Sequence, residues 1–199
     1  ISEPGQLNST SIAGVISCYG GVTTVTVSAT GGTAPYTGTG TFTVVAGNYT
    51  YTVTDSKGCT STTTISVTQP NVITPVITGT NVTCFGNNDG AVDLTITGGI
   101  SPYLISWNNG ETTEDLDSLL SGLYSVSVQD NNGCTLTTSI TISAPIQPLT
   151  ATVNQTNLQC YNQNTGALNL TVTGGAAPYF YAWSNGSTNQ DLTNLAAGG

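Results

Sequence analysis

The sequence predicts an all-β protein built from tandem small β-sandwich repeats, disulfide-stapled and arranged end to end. Three observations carry this. A glycine-glycine motif recurs three times: Thr30-Gly31-Gly32-Thr33-Ala34-Pro35-Tyr36, Thr97-Gly98-Gly99-Ile100-Ser101-Pro102-Tyr103 and Thr173-Gly174-Gly175-Ala176-Ala177-Pro178-Tyr179. The offsets of 67 and 76 residues match the size of a small all-β domain, and a fixed period makes the repeating unit the object to read first. Short apolar–polar alternations follow one another at spacings of about 8 to 12 residues with turn residues between them, and no stretch holds a helical period. The cysteines keep the same register: Cys18 and Cys59 stand where Cys84 and Cys134 stand one copy later, and Cys160 matches Cys84.

These periods divide the chain into residues 1–70, a short and divergent copy, 71–145, and 146–199, a copy truncated before its last strands. Proline in Thr68-Gln69-Pro70-Asn71 and in Ser143-Ala144-Pro145-Ile146-Gln147-Pro148 suits short, stiff junctions. In the second copy Val92, Leu94 and Ile96 alternate with polar residues, the pattern of a half-buried strand. Tyr103, Ile105 and Trp107 alternate next and end at Asn108-Asn109-Gly110, which reads as a hairpin turn. A Leu116-x-x-Leu119 segment precedes Tyr124, Val126 and Val128, and Asp130-Asn131-Asn132-Gly133 turns the chain into Leu136, Ile140 and Ile142. The paired glycines permit positive φ. Tyr49 and Tyr124 follow a tight corner and are placed to bond upstream backbone, as a tyrosine corner does in sandwiches. Asp55 and Asp130 recur in the turn before the second cysteine, where a carboxylate can cap its own turn. The first copy is eight residues shorter between Pro35 and Tyr49 and lacks the tryptophan. It should therefore have a smaller sheet on one side, with Phe42 taking part of the tryptophan's volume.

Cysteine register predicts the bonds Cys18–Cys59 and Cys84–Cys134, each within one copy, with Cys160 bonded to a cysteine beyond the chain end. Each bond closes a loop of about 40 to 50 residues and contributes roughly 4 kcal/mol in the chain-entropy model. Units of this size have thin cores that need such staples. Oxidised cysteines place the protein outside the reducing cytosol. The sandwich is immunoglobulin-like in its tryptophan between two cysteines, although the order of elements differs, and the bridge should pin terminal strands. The last segment stops where the second copy continues into Tyr124-Ser125-Val126, so more polypeptide or a partner strand is expected to complete the third copy.

Composition excludes several classes. One cation, Lys57, stands against ten carboxylates, and the net charge is −9. Phosphate backbones find nothing to neutralise them, and an anionic membrane surface is an unsuitable electrostatic partner. No apolar run approaches a bilayer's thickness. Ile1-Ser2-Glu3-Pro4-Gly5 carries no leader pattern.

The run Cys84-Phe85-Gly86-Asn87-Asn88-Asp89-Gly90-Ala91, with Gly98-Gly99-x-x-Pro102-Tyr103, Trp107-x-Asn109-Gly110, Leu119-x-x-Gly122-x-Tyr124 and Asp130-x-x-Gly133-Cys134, resembles the SprB-type repeat of Bacteroidota cell-surface gliding adhesins. The likeness covers the second copy and the available part of the third, and is partial in the first. It implies secretion, through the type IX system, and display at the cell surface or in a surface filament.

Chemistry is scarce. Without histidine there is no Ser-His or Cys-His pair, and Lys57 sits in a solvated turn, so neither an enzyme nor a bound cofactor is expected. Cysteines tens of residues apart do not suit zinc. Calcium takes several oxygen ligands, and Asp89, Asp93, Asp115 and Asp117 are the candidates; Glu111 and Glu114 extend the acidic loop, which otherwise reads as solvated charge. A single lysine allows at most one isopeptide crosslink, and Asp117-Ser118-Leu119 resembles an O-glycosylation acceptor. The leading reading is a non-enzymatic extracellular stalk and adhesive fibre whose partners are surface polysaccharide or a solid substratum. One rival is a filament subunit that accepts a strand from neighbouring copies of itself. The other is a carbohydrate-binding module using Trp107, Trp183, Tyr179 and Tyr181, whose bland counterpart is tryptophan in the core.

Overall fold

The structure, a computed structural model, describes residue 3 and residues 5–198. Ile1, Ser2 and Pro4, which belong to the leader reading, and Gly199 lie outside the described residues. Among the described residues there are fourteen strands and no helix, and so no helix long and apolar enough to cross a membrane. The described residues are all-β, in five small sheets. Threonine and valine are the commonest residues of the strands, and their branched Cβ atoms favour the pleated surface over a helix.

The chain divides into two compact units, residues 1–76 with 95–112 and 126–138, and residues 77–94 with 113–125 and 139–199. In the first unit, β1 (Asn8–Ala13), β2 (Thr23–Thr30) and β3 (Gly40–Val44) form an antiparallel sheet in that order. β4 (Gly47–Thr54) and β5 (Thr60–Val67) form a two-stranded partner. Val25, Val27 and Val44 from the first sheet and Val53 and Val67 from the second meet with Ile16 in one buried cluster. That is a small sandwich. Each such side chain contributes about 1.5–3 kcal/mol on burial, so half a dozen give a thin core.

Four strands follow in sequence: β6 (Thr74–Thr80), β7 (Gly90–Thr97), β8 (Leu104–Trp107) and β9 (Leu116–Leu119). Next come β10 (Gly122–Gln129) and β11 (Thr135–Ile142). Their sheets run β6-β7-β9 and β11-β10-β8. The second copy thus has a three-stranded sheet where the first has two strands and a single bridge between Thr37 and Thr54. The smaller sheet expected of the first copy is present. β12 (Thr150–Thr156), β13 (Gly166–Thr173) and β14 (Leu192–Leu195) form the last sheet.

Two local readings are corrected. The Asn108-Asn109-Gly110 turn does not join paired strands. Trp107 N–H donates to the Glu111 carbonyl and Gly110 N–H to the Trp107 carbonyl, but β8 pairs with β10 while the chain goes on to β9 in another sheet. The turn is tight, and it hands the chain between sheets. Phe42 does not replace the tryptophan, because it lies at the surface with its ring 4.8 Å from that of Tyr51.

The glycine-glycine corner is the same in all three places. Gly31 and Gly32, Gly98 and Gly99, and Gly174 and Gly175 all hold positive φ, and the peptide before Pro35, Pro102 and Pro178 is cis. The second glycine N–H reaches back to Gly5, Asn71 or Gln147 carbonyl at 2.8, 3.0 and 2.9 Å. The tyrosine hydroxyl of each motif closes the corner by donating to the first glycine's carbonyl: Tyr36 to Gly31, Tyr103 to Gly98, Tyr179 to Gly174. Tyr49 and Tyr124 make the predicted corner bonds, donating to Val45 and Leu120 carbonyls at 3.0 Å each.

A Cβ on Gly98 would stand 1.9 Å from the Val72 carbonyl oxygen, whereas one on Gly133, also at positive φ, would meet nothing within 4 Å. Gly98→Ala should therefore cost about 3 kcal/mol or more, from collision and strain together. Gly133→Ala should cost only about 1–2 kcal/mol from backbone strain. Thermal melting of the two variants checks this, and equal losses would show that the close approach is unimportant.

Candidate functional site

The recurring construction at the end of the sandwich is an aspartate lock. Asp55 Oδ1 accepts the Lys57 and Cys59 backbone N–H groups at 2.9 Å each, and Oδ2 accepts Thr33 N–H, just past Gly32, also at 2.9 Å. Asp130 repeats every bond with Asn132, Cys134 and Ile100 at 2.9, 2.9 and 3.0 Å. One carboxylate caps its own turn and ties it to the glycine-glycine corner. Both aspartates are buried, and among the described residues no buried side-chain N or O lacks a hydrogen-bond partner. The backbone N–H groups of Cys59 and then Thr33 hold the Asp55 carboxyl below its ordinary value of 3.8, outweighing the opposing effect of burial.

The cysteine lying beyond this turn takes part in a bond that the sequence reading misassigned. Cys18 is bonded to Cys134, 116 residues away, with Cα atoms 5.7 Å apart, and Cys59, Cys84 and Cys160 are free and exposed. Neither Cys18–Cys59 nor Cys84–Cys134 forms. Cys18 lies in the β1–β2 loop and Cys59 beyond the turn that docks on Gly32, with the length of β2 between them. Eight extended residues span about 27 Å, far beyond what a disulfide bridges. Cys134 is taken by Cys18, which leaves Cys84 without it. The bond joins the first copy of the motif to the second. Around it, Asn132 Nδ2 donates to the Ser17 carbonyl at 2.9 Å, and Gly20 N–H to Gln69 Oε1 in the proline junction at 2.8 Å. Cys18 and Tyr19 line, with Pro70, Asn71, Ile73 and Thr135, a cavity of about 200 Å³.

The calcium candidates are not brought together: among the described residues no three Asp, Glu, Cys or His form a cluster. Asp89 is held by the Thr83 hydroxyl and backbone N–H, which lower its pKa in that order of effect. Asp115 Oδ1 accepts Leu94 N–H at 3.0 Å, and Asp191 does the same for Leu170 N–H at 2.9 Å. Both carboxylates act as strand-edge caps. Asp93 and Asp117 are exposed. Ser118, in the Asp117-Ser118-Leu119 segment, is exposed at φ 55°, as Asn194 is at 59° in the next copy.

Trp107 is buried, which is the core role. Trp183 is half-buried, its Nε1 donating to the Asn189 carbonyl at 2.7 Å, and Tyr181 bonds Gln190. Beside them runs an apolar trough of about 500 Å³ lined by Leu149, Val153, Leu170, Val172, Tyr181 and Trp183. Leu149 is 63% exposed, although Leu7 and Ile73 at the equivalent positions are 8% and 7% exposed. The sequence contained the signal for this trough, in an alternation whose covering strands have no counterpart among residues 146–199.

A family model described as the SprB repeat matches residues 76–112 and again residues 152–188. Both matched stretches, which lie within the second and third copies of the motif, are similar to that repeat. That family is a non-catalytic repeat, and it implies a surface adhesin-like region of a cell-surface or extracellular protein. No curated protein matches the chain.

Asp130→Ala leaves three backbone donors near the turn without their acceptor and should cost about 3 kcal/mol, a fall of roughly 10 °C or more in Tm. For Asp55 the folded pKa is depressed, so its stabilisation is complete above the unfolded value and is lost as pH falls through the folded value. The Tm gap between the wild type and Asp55→Asn should be largest near about pH 6 and shrink below 3.8; a gap that grows on acidification contradicts the lock.

The disulfide is checked by cutting after Lys57 and after the glutamates. Mass spectrometry of Cys160→Ser without reduction should find residues 1–57 linked to residues 115–199. A link from 1–57 to 58–111 would restore the pairing within one copy.

Proposed function

We propose that the chain is a non-enzymatic extracellular repeat segment, acting as stalk and adhesive fibre of a large secreted bacterial surface protein. The observation that carries this is the Cys18–Cys134 bond, which ties one copy of the motif covalently to the next. Copies joined at a junction that also holds Gln69 and Asn132 behave as linked length rather than as beads on a loose string. Export through the type IX system and copies bounded at 1–70, 71–145 and 146–199 belong to the same reading. With 6% charged residues, the threonine-, serine- and asparagine-rich faces suit many weak contacts to surface polysaccharide or a solid substratum. Summed over copies, such contacts hold by avidity.

Beads carrying the chain at increasing density should attach to polysaccharide gels and bare solids with a strength that rises steeply with density. Attachment no stronger than that of albumin-coated beads at every density would remove the adhesive role and leave only the spacer.

The open trough over Leu149 and Val153 favours a second reading, in which a strand from a neighbouring copy seats on the third copy as in strand donation. A peptide of residues 122–142, the segment that continues past Leu119 in the second copy, should shift Trp183 fluorescence on binding. An unchanged spectrum at millimolar peptide counts against strand acceptance.

A further inference from the structure

The half of the Cys18–Cys134 junction contributed by the first copy is displayed again in the third. Cys18-Tyr19-Gly20-Gly21 is closed by Gly21 N–H donating to the Cys18 carbonyl at 3.0 Å, with Gly20 at φ 74°. Cys160-Tyr161-Asn162-Gln163 is closed the same way by Gln163 N–H at 3.4 Å, with Asn162 at φ 60°. Both loops present cysteine followed by tyrosine. Tyr161 is 93% exposed and Cys160 is free.

The half contributed by the second copy is displayed again in the first. In the second copy Asn71, Ile73, Asp130, Cys134 and Thr135 line a cavity together with Cys18, which is bonded to Cys134, and Tyr19. At the matching positions Gly5, Leu7, Asp55, Cys59 and Thr60 line a groove of about 660 Å³, more than three times the space that remains beside the seated loop. The aspartate lock holds the Cys59 turn in the same hydrogen-bonded form as the Cys134 turn. Lys57 occupies the place of Asn132, whose side chain donates to Ser17 carbonyl. A lysine ammonium there can donate to the carbonyl before the incoming cysteine, which in the third copy belongs to Gln159. The only cation of the sequence thus stands where the junction uses a donor.

We propose that the groove around Cys59 takes the Cys160–Tyr161 loop of a second copy of this chain, and that a Cys59–Cys160 disulfide seals the contact. The two patches differ, so the contact is heterologous and repeats from copy to copy. With oxidised glutathione as oxidant, the Cys160 thiolate attacks the glutathione disulfide and expels one glutathione thiolate. The Cys59 thiolate then attacks the Cys160 sulfur of the mixed disulfide and expels the second. One protein S–S bond forms, one glutathione S–S bond is lost, and the two thiol protons pass to the two glutathiones.

The test uses the 199-residue protein with Cys84→Ser, incubated in a glutathione redox buffer and separated without reduction. The expected result is a ladder of dimers, trimers and higher species that reductant collapses to monomer, with residues 58–111 linked to residues 115–199 after cleavage at lysine and glutamate. Adding Cys59→Ser or Cys160→Ser should abolish the ladder, and mixing those two variants should give dimers and nothing larger. Lys57→Asp should lower the yield several-fold, while Lys57→Asn retains it. Monomer throughout, a Cys59–Cys160 link within one chain, or dimers formed equally by either single variant alone would each overturn the proposal.

Discussion

One buried carboxylate organises the cysteine-bearing turn in each of the first two copies of the motif. Asp55 and Asp130 each gather three backbone N–H groups from two segments far apart in sequence, the turn that precedes a cysteine and the corner after a pair of glycines. A chain with so thin a core cannot rely on hydrophobic burial alone to fix where a loop goes. Charge-assisted hydrogen bonds supply the direction that apolar contact lacks. The glycines make the corner sterically accessible, the tyrosine hydroxyl closes it, and the aspartate decides which turn lies on it. The position of the following cysteine is a product of that arrangement.

From this follows the unusual feature of the chain, a sulfur bond that runs from one copy to the next. A staple within a copy stabilises that copy alone. The bond seen here instead constrains the junction, where Gln69 and Asn132 add hydrogen bonds to the same loop. Small repeats of this kind gain from their neighbours, and a covalent contact makes that gain independent of how strongly the surfaces attract.

Much of this was legible in the residues. Alternation placed the strands around Val92, Leu94 and Ile96 and around Val126 and Val128, because period-two burial leaves a direct mark on composition. The paired glycines, the corner tyrosines and the turn aspartates were readable for the same reason: each answers a local backbone need. Disulfide partners were not readable, since register shows that Cys18 matches Cys84 and Cys59 matches Cys134 but not at which end of β2 each one lies. The answer depended on the turn docking back on Gly32, a contact across twenty-two residues between Thr33 and Asp55. The Asn108-Asn109-Gly110 turn misled by the same route. The turn is tight as expected, but β8 before it pairs with β10 and β9 after it pairs with β7. The four acidic candidates for a metal looked like a group only along the chain, where Asp89 and Asp115 each serve the backbone of a different segment.

The bond between Cys18 and Cys134 also sets how the chain answers a pull. Tension applied from its two ends crosses directly from one sulfur to the other, so the intervening polypeptide, 116 positions apart in sequence at its ends, carries no load even if its sheets come undone. At roughly 3.5 Å per residue that is about 400 Å of slack kept in reserve. Only a reductant can release it, which makes the stretchable length of this molecule a function of the redox state of its surroundings.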